Sequence, residues 1–157
     1  MNSQRNYHFI ADTLHWLCEN QQNQPGLEEL AQQFGLSPQY LQRLFQHWVG
    51  VSPKQFLKYL TRDKAMERLR KGQSVLESAI SSGLSGPGRL HDLLITTQAM
   101  TPGEAKKRGL GVKIQYGYGA TPFGEAMLAW NKRGICFLGF CHEKGRQVTR
   151  EHFSQQW

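Results

Sequence analysis

Apolar residues recur at intervals of three and four through the first hundred positions of the chain. Leu27, Leu30, Ala31 and Phe34 form one run, and Leu36, Leu41, Leu44, Phe45 and Val49 a second. That spacing turns one face of each segment inward and predicts two short amphipathic helices. Gly35 stands between them, where a helix C-terminus must turn sharply and positive φ is favoured. Ser37 suits an N-cap, and Pro38 falls at the first helical position, where a missing N–H costs nothing. Ser52-Pro53 repeats this start signal for a long helix from Pro53 to Lys71, which Gly72 ends. Its Phe56, Leu57, Leu60, Met66 and Leu69 are placed to face both neighbours. Tyr7 to Cys18 predicts an earlier amphipathic helix, closed by the polar loop NQQNQPG.

The pattern then repeats. VLESAISSGL (75–84) follows the plan of LEELAQQFGL (27–36), and Leu90, Leu93, Leu94 and Met100 carry the stripe through the next helix. Thr101-Pro102 follows, as Ser52-Pro53 does in the first unit. Aligned on Gly35 and Gly83, the units stand 48 residues apart. Turn, core and helix-start marks in register twice are a stronger signal than either copy alone. Helix, turn, and a second helix with a polar outer face is the layout of a helix-turn-helix that can enter a major groove.

From Gly109 the period changes. GLGVKIQYGYG (109–119) alternates as a strand does, Glu125 to Asn131 predicts a second strand after the Thr121–Gly124 turn, and Ile135 to Cys141 a third. Three strands alone are marginal, and Phe123, Leu128, Trp130, Phe137 and Phe140 would leave apolar area uncovered.

Net charge is +7 and the pI about 9.5, which suits a polyanionic partner beside such a motif. The N-terminus (MNSQRNYHF) is polar and no apolar run approaches the ~20 residues of a membrane span, so neither a signal peptide nor a membrane is expected. Cys18, Cys136 and Cys141 give neither metal spacing nor an even disulfide set, and a reducing cytoplasm is the natural compartment. No cofactor and no metal are expected. Arg62 to Lys71 (RDKAMERLRK) holds five basic and two acidic residues, for which a solvated face is the default reading.

Residues 1–108 resemble the AraC-type DNA-binding domain, two helix-turn-helix units joined by a long helix. The resemblance rests on Ala31, Gly35, Leu36, Ser37, Leu41, Arg43, Leu44, Phe45, Gly50, Ser52, Pro53 and Phe56, then on Ala79, Gly83, Leu84, Ser85, Arg89, Leu90, Met100, Thr101 and Pro102. Arg62 stands where that family commonly has an apolar residue, a departure at the expected inter-unit core. Residues 109–157 resemble the start of the O6-alkylguanine-DNA alkyltransferase domain, through Tyr116, Gly117, Thr121, Pro122, Phe123, Gly124, Ala129, Arg133, Gly134, Ile135, Leu138, Gly139 and Phe140. The implied fold class is mainly α: an AraC-type double helix-turn-helix domain, then a small antiparallel β meander, an incomplete ribonuclease-H-like subdomain lacking its helical half. The implied function is a sequence-specific DNA-binding transcription regulator of the Ada type, linked to the response to DNA alkylation. The alternative is a fragment of a bifunctional methylated-DNA–cysteine methyltransferase whose repair activity is missing. The chain reads as a piece of a longer protein. Double-stranded DNA is the implied partner, with RNA polymerase a second candidate.

By that family's pattern, Gln39, Gln42 and Arg43 are placed for base edges, and Tyr40 and His47 for phosphate or sugar. Arg can bond guanine and Gln adenine in a bidentate way; the alternative for each is a solvated helix face. In the second unit the equivalent stretch is Gly86 to Asp92, where only Arg89 and His91 look useful. Asp92 would repel phosphate, and the alternative use of Arg89 is to pair with it. The second unit therefore positions more than it specifies. No catalytic residue is assigned. The alkyltransferase acceptor lies in a Pro-Cys-His-Arg motif, absent here, and the cysteine-rich zinc segment that precedes the AraC module in proteins of this type is absent too. Cys141-His142 follows Phe140 and precedes Glu143, and reads as incidental; Cys136 reads as buried packing.

Overall fold

A computed structural model describes residues 3–141 and 145–156. His142, the second half of the Cys141-His142 pair, lies outside them. The order is α1 (Ser3–Asn20), a 3-10 turn (Gln21–Asn23), α2 (Leu27–Gln33), α3 (Pro38–Val49), α4 (Pro53–Arg70), α5 (Val75–Ile80), α6 (Pro87–Gln98), α7 (Pro102–Lys106), β1 (Gln115–Thr121), β2 (Gly124–Asn131), β3 (Gly134–Phe140) and α8 (Gly145–Gln156). The molecule is thus mostly helical with one small antiparallel sheet of order β1-β2-β3. None of the described helices is long and apolar enough to cross a membrane.

The repeat is a repeat of hydrogen bonds. Leu36 N donates to Ala31 O and Leu84 N to Ala79 O, both at 3.0 Å, and Gly35 and Gly83 both have positive φ (64° and 78°). Past the turn the register slips. Leu41, Leu44 and Phe45 occupy the inward positions that Leu90, Leu93 and Leu94 occupy in the second unit, so the units stand 49 apart there rather than 48. One extra residue before Pro87 accounts for the slip, and it makes Arg43 the counterpart of Asp92.

Each unit has its own core. Leu17, Leu30, Leu41 and Phe45 are buried in the first, with Phe56 and Leu60 packed against them. Ala65, Met66, Leu69, Ala79, Leu90 and Leu94 are buried in the second. The long helix α4 therefore gives its first half to one unit and its second half to the other. Ser52 with Gln55, Ser74 with Glu77 and Thr101 with Glu104 form capping boxes at the starts of α4, α5 and α7.

The C-terminal part corrects three expectations. The first strand begins at Gln115, because Gly109 and Gly111 both have positive φ and turn the chain instead of extending it. The segment is more than a bare three-stranded meander: α8 lies on the sheet, with Phe153 against Phe137 (5.2 Å between rings) and the Arg146 guanidinium both paired with Glu125 and 4.6 Å over Tyr118. The basic run on α4 is not wholly solvated either. Arg70 Nη2 donates to Gln156 O at 3.1 Å, and Arg62 is held by Asp63 while lying 5.2 Å from the Tyr59 ring.

The sheet is welded to the end of the second unit. Met100 is buried with Met127, Ala129, Cys136 and Phe137. Ala99, at φ 52°, offers its carbonyl to Asn131 Nδ2 at 2.8 Å. Arg133, from the turn between β2 and β3, donates to both Glu104 oxygens at 2.9 Å. One face of the sheet is covered in this way. The other still shows Ile135, Leu138 and Phe140, with Phe123 beside them, all substantially exposed.

Candidate nucleic-acid interface

The first interface element is α3, and its local sequence fixes it firmly. Ser37 Oγ accepts from Tyr40 N at 3.3 Å, Pro38 opens the helix, and Gly50 closes it at φ 82°. Leu41 and Phe45 are fully buried. The side opposite Leu41 and Phe45 is polar and faces solvent, as an amphipathic surface helix does. Gln39, Gln42, Arg43 and His47 are exposed there, and Tyr40 is half-buried. Gln39, Gln42 and Arg43 make no hydrogen bond to another described residue, so their donors and acceptors are available to an outside partner. His47 lies in the last turn, 6.4 Å from the Trp48 ring, away from the N-terminal end where Gln39 sits.

The second element, α6, is built on the same plan with less to offer. Its N-cap is Gly86, with no side-chain cap, and Pro87 again stands at the start. Arg89, His91 and Asp92 are exposed, while Gly88 presents no side chain. Asp92 meets His91 (3.6 Å), not Arg89, so the Arg89–Asp92 pair is not formed among the described residues. Arg89 and Asp92 both line a cleft of about 800 Å³ between the two units.

That cleft holds two cations that the sequence pattern did not single out. Lys54 and Lys58 project from α4 into it, together with Gln55. Their spacing of four residues on a predicted helix was the signal available: with Leu57 and Thr61 they form one i, i+3, i+4, i+7 stripe of α4. The cysteines fall outside this surface. Cys136 is buried against the sheet core, and burial pushes its thiol pKa up, the reverse of what a nucleophile needs.

Comparison with known proteins finds the same fold. Residues 30–108 match a family model described as a helix-turn-helix domain. The chain is 30% identical over 112 residues to the bifunctional transcriptional activator/DNA repair enzyme Ada of Escherichia coli, and 28% identical over 109 residues to the regulatory protein ada of Salmonella typhimurium. These matches take in 71% and 69% of this chain but 32% and 31% of the relatives, so the chain spans about a third of the length of the curated relatives it matches. Among solved structures, the DNA-binding domain of AdpA in complex with a target DNA superposes with a TM-score of 0.59 at 24% identity, covering 62% of this chain and 89% of that one. A transcriptional regulator from Chromobacterium violaceum, of the AraC-type DNA-binding-domain proteins, gives 0.60 at 19% identity, covering 69% and 96%.

Proposed function

The chain belongs to the helix-turn-helix domain family, and we propose that it acts as a sequence-specific DNA-binding transcription regulator of the Ada type, tied to the response to DNA alkylation. The observation that carries this reading is the outer face of α3, where Gln39, Gln42 and Arg43 stand exposed and unpaired on a helix locked by a fully buried opposite face. Tyr40 and His47, with Arg89 and His91 of the second unit, supply backbone contacts. Double-stranded DNA is the partner, and RNA polymerase a second one if the chain activates transcription. Three free cysteines suit a reducing cytoplasm.

Site selection from a random duplex library, followed by titration of the selected sequence at several salt concentrations, tests the reading. Affinity falls steeply with salt, and Arg43→Ala loses about 1–3 kcal/mol on the selected site. Equal binding of all sequences by both proteins sinks it.

Residues 109–157 are, on the same proposal, a separate domain corresponding to the first part of an alkyltransferase domain. Its support is the resemblance in sequence and the apolar outer face of the sheet, where Ile135, Leu138 and Phe140 remain exposed. This unit carries no transfer chemistry on its own. Incubation with methylated duplex DNA leaves the intact mass unchanged, whereas a gain of one methyl group on Cys141 would overturn that statement.

A further inference from the structure

We infer that the 3-10 turn Gln21–Asn23 is a strut that sets the angle between the two helix-turn-helix units, with Gln21 and Thr61 as its positioning residues, and that it thereby fixes the spacing of the DNA segments the protein accepts. The DNA part of this inference rests on the function proposed above.

Two units on one linking helix are free to twist about it unless something else joins them. Here a buried polar network does so. Gln21 is 5% exposed, and its amide Nε2 spends both hydrogens on long-range partners: Thr61 Oγ1 at 3.0 Å and Ser82 O at 2.9 Å. The first belongs to α4 and the second to the turn of the second unit. Gln24 Nε2 also donates to Thr61 Oγ1, at 2.9 Å, and to Gln21 O at 2.8 Å. Thr61 in turn donates to Leu57 O at 2.9 Å, so its hydroxyl is saturated by one donated and two accepted bonds. Removing one member leaves buried polar atoms without partners, so the network holds one geometry or none.

A steric lock lies beside it. A Cβ added to Gly83 would sit 2.1 Å from Gln22 O, so the loop after α1 presses directly on the second unit's turn. Gln24, Thr61 and Leu84 line the inter-unit cleft, which places the strut at the floor of the gap between the two units. The loop that ends α1 is thus in contact with both units, although in sequence it precedes only the first.

Helices entering successive major-groove turns must stand about one helical repeat apart. One inserted base pair moves their targets by about 3.4 Å and rotates them by roughly 35°. A rigid pair of units tolerates this badly, and a loosened pair tolerates it well. The experiment uses the full chain and the site selected by wild type, with one base pair inserted or removed between the two footprinted segments. Wild type and Thr61→Ser, which keeps the hydroxyl, lose at least about tenfold in affinity on the respaced sites. Gln21→Leu and Thr61→Val lose less than about threefold on respacing, whatever their affinity for the original site. In parallel, amide residual dipolar couplings of the free proteins are measured. Couplings from α2–α3 and α5–α6 fit one alignment tensor in wild type and two of different magnitude in Thr61→Val. The same spacing penalty in both variants as in wild type, or a single tensor in Thr61→Val, overturns the strut. If Gln21→Leu does not fold, Thr61→Val decides by both measurements. If wild type selects no DNA, the proposed function fails, while the couplings still judge the strut.

Discussion

α3 and α6 are both twelve residues long and both open on a proline. Both bury their fourth and eighth residues, Leu41 and Phe45 in one and Leu90 and Leu94 in the other. Outside, they differ at nearly every position: Gln39, Tyr40, Gln42 and Arg43 in α3 face Gly88, Arg89, His91 and Asp92 in α6. The two inner faces answer to packing inside one small core each, where volume and rotamer are constrained. The outer faces answer only to solvent and to whatever docks there. A single chain thus shows the same scaffold carrying a face rich in bidentate hydrogen-bonding groups and a face nearly without them.

The comparison can be broken most forcefully at the cores. Phe45→Ala should cost about 3–5 kcal/mol of stability in urea unfolding, and Leu94→Ala about 2–5 kcal/mol. If either is tolerated below 1 kcal/mol, that helix is not anchored as described. The two turns separate next. Gly35→Ala meets open space and should cost only the ~1–2 kcal/mol of a left-handed alanine. Gly83→Ala adds a clash with the Gln22 carbonyl and should cost clearly more, so equal thermal shifts for the two would refute the close approach.

A smaller effect belongs to the clamp between second unit and sheet. The hydrogen bond from Arg133, with Thr101 adding and burial opposing, holds the Glu104 carboxyl down at about 2 instead of 4.5. A carboxyl depressed in the folded state contributes stability that is complete above its unfolded value and lost as pH falls. The window is therefore pH 4.5 down to about 2. Arg133→Ala should remove about 1–2 kcal/mol at neutral pH and flatten the acid limb in that window. An unchanged acid limb would show the pair to be idle. Least in size, Asp92→Asn takes a negative charge from the cleft that holds Lys54, Lys58 and Arg89. DNA binding should tighten by about 0.5–1 kcal/mol, with little change in sequence preference, when measured by anisotropy at low salt. A loss of affinity instead would make Asp92 a reader of bases.

What could be read in the chain was what is written locally. Helix starts at Ser37-Pro38, Ser52-Pro53 and Thr101-Pro102, the Gly35 and Gly83 turns, and the stripes between them all act within a few residues, and each lies where the pattern put it. The structure departs where distant residues decide. Arg133 reads as a turn residue until Glu104, 29 positions earlier, is found opposite it. Gln21 reads as part of a polar loop, yet it is buried by partners 40 and 61 positions away. α8 was missed for a different reason. Its apolar side chains are few, Val148 and Phe153, so its periodicity is weak, and the sheet beneath it supplies the contacts that hold it.

The one-residue slip between the units has a practical consequence for anyone wishing to transplant a reading surface. An α-helix advances about 100° per residue, so a graft counted at the wrong offset rotates by more than a quarter of a turn. Copied at 48, Gln42 would land on the buried position of Leu90 and Leu41 on the exposed position of Arg89, turning the helix inside out. Copied at 49, Gln42 lands on His91 and Arg43 on Asp92, both already in solvent. The extra residue sits between Leu84 and Pro87, in a bend with no core position to disturb, which is where a duplicated unit can absorb an insertion and still keep its fold. The two helix-turn-helix units therefore share a design but not a ruler, and any exchange of recognition surfaces between them must carry the bend along.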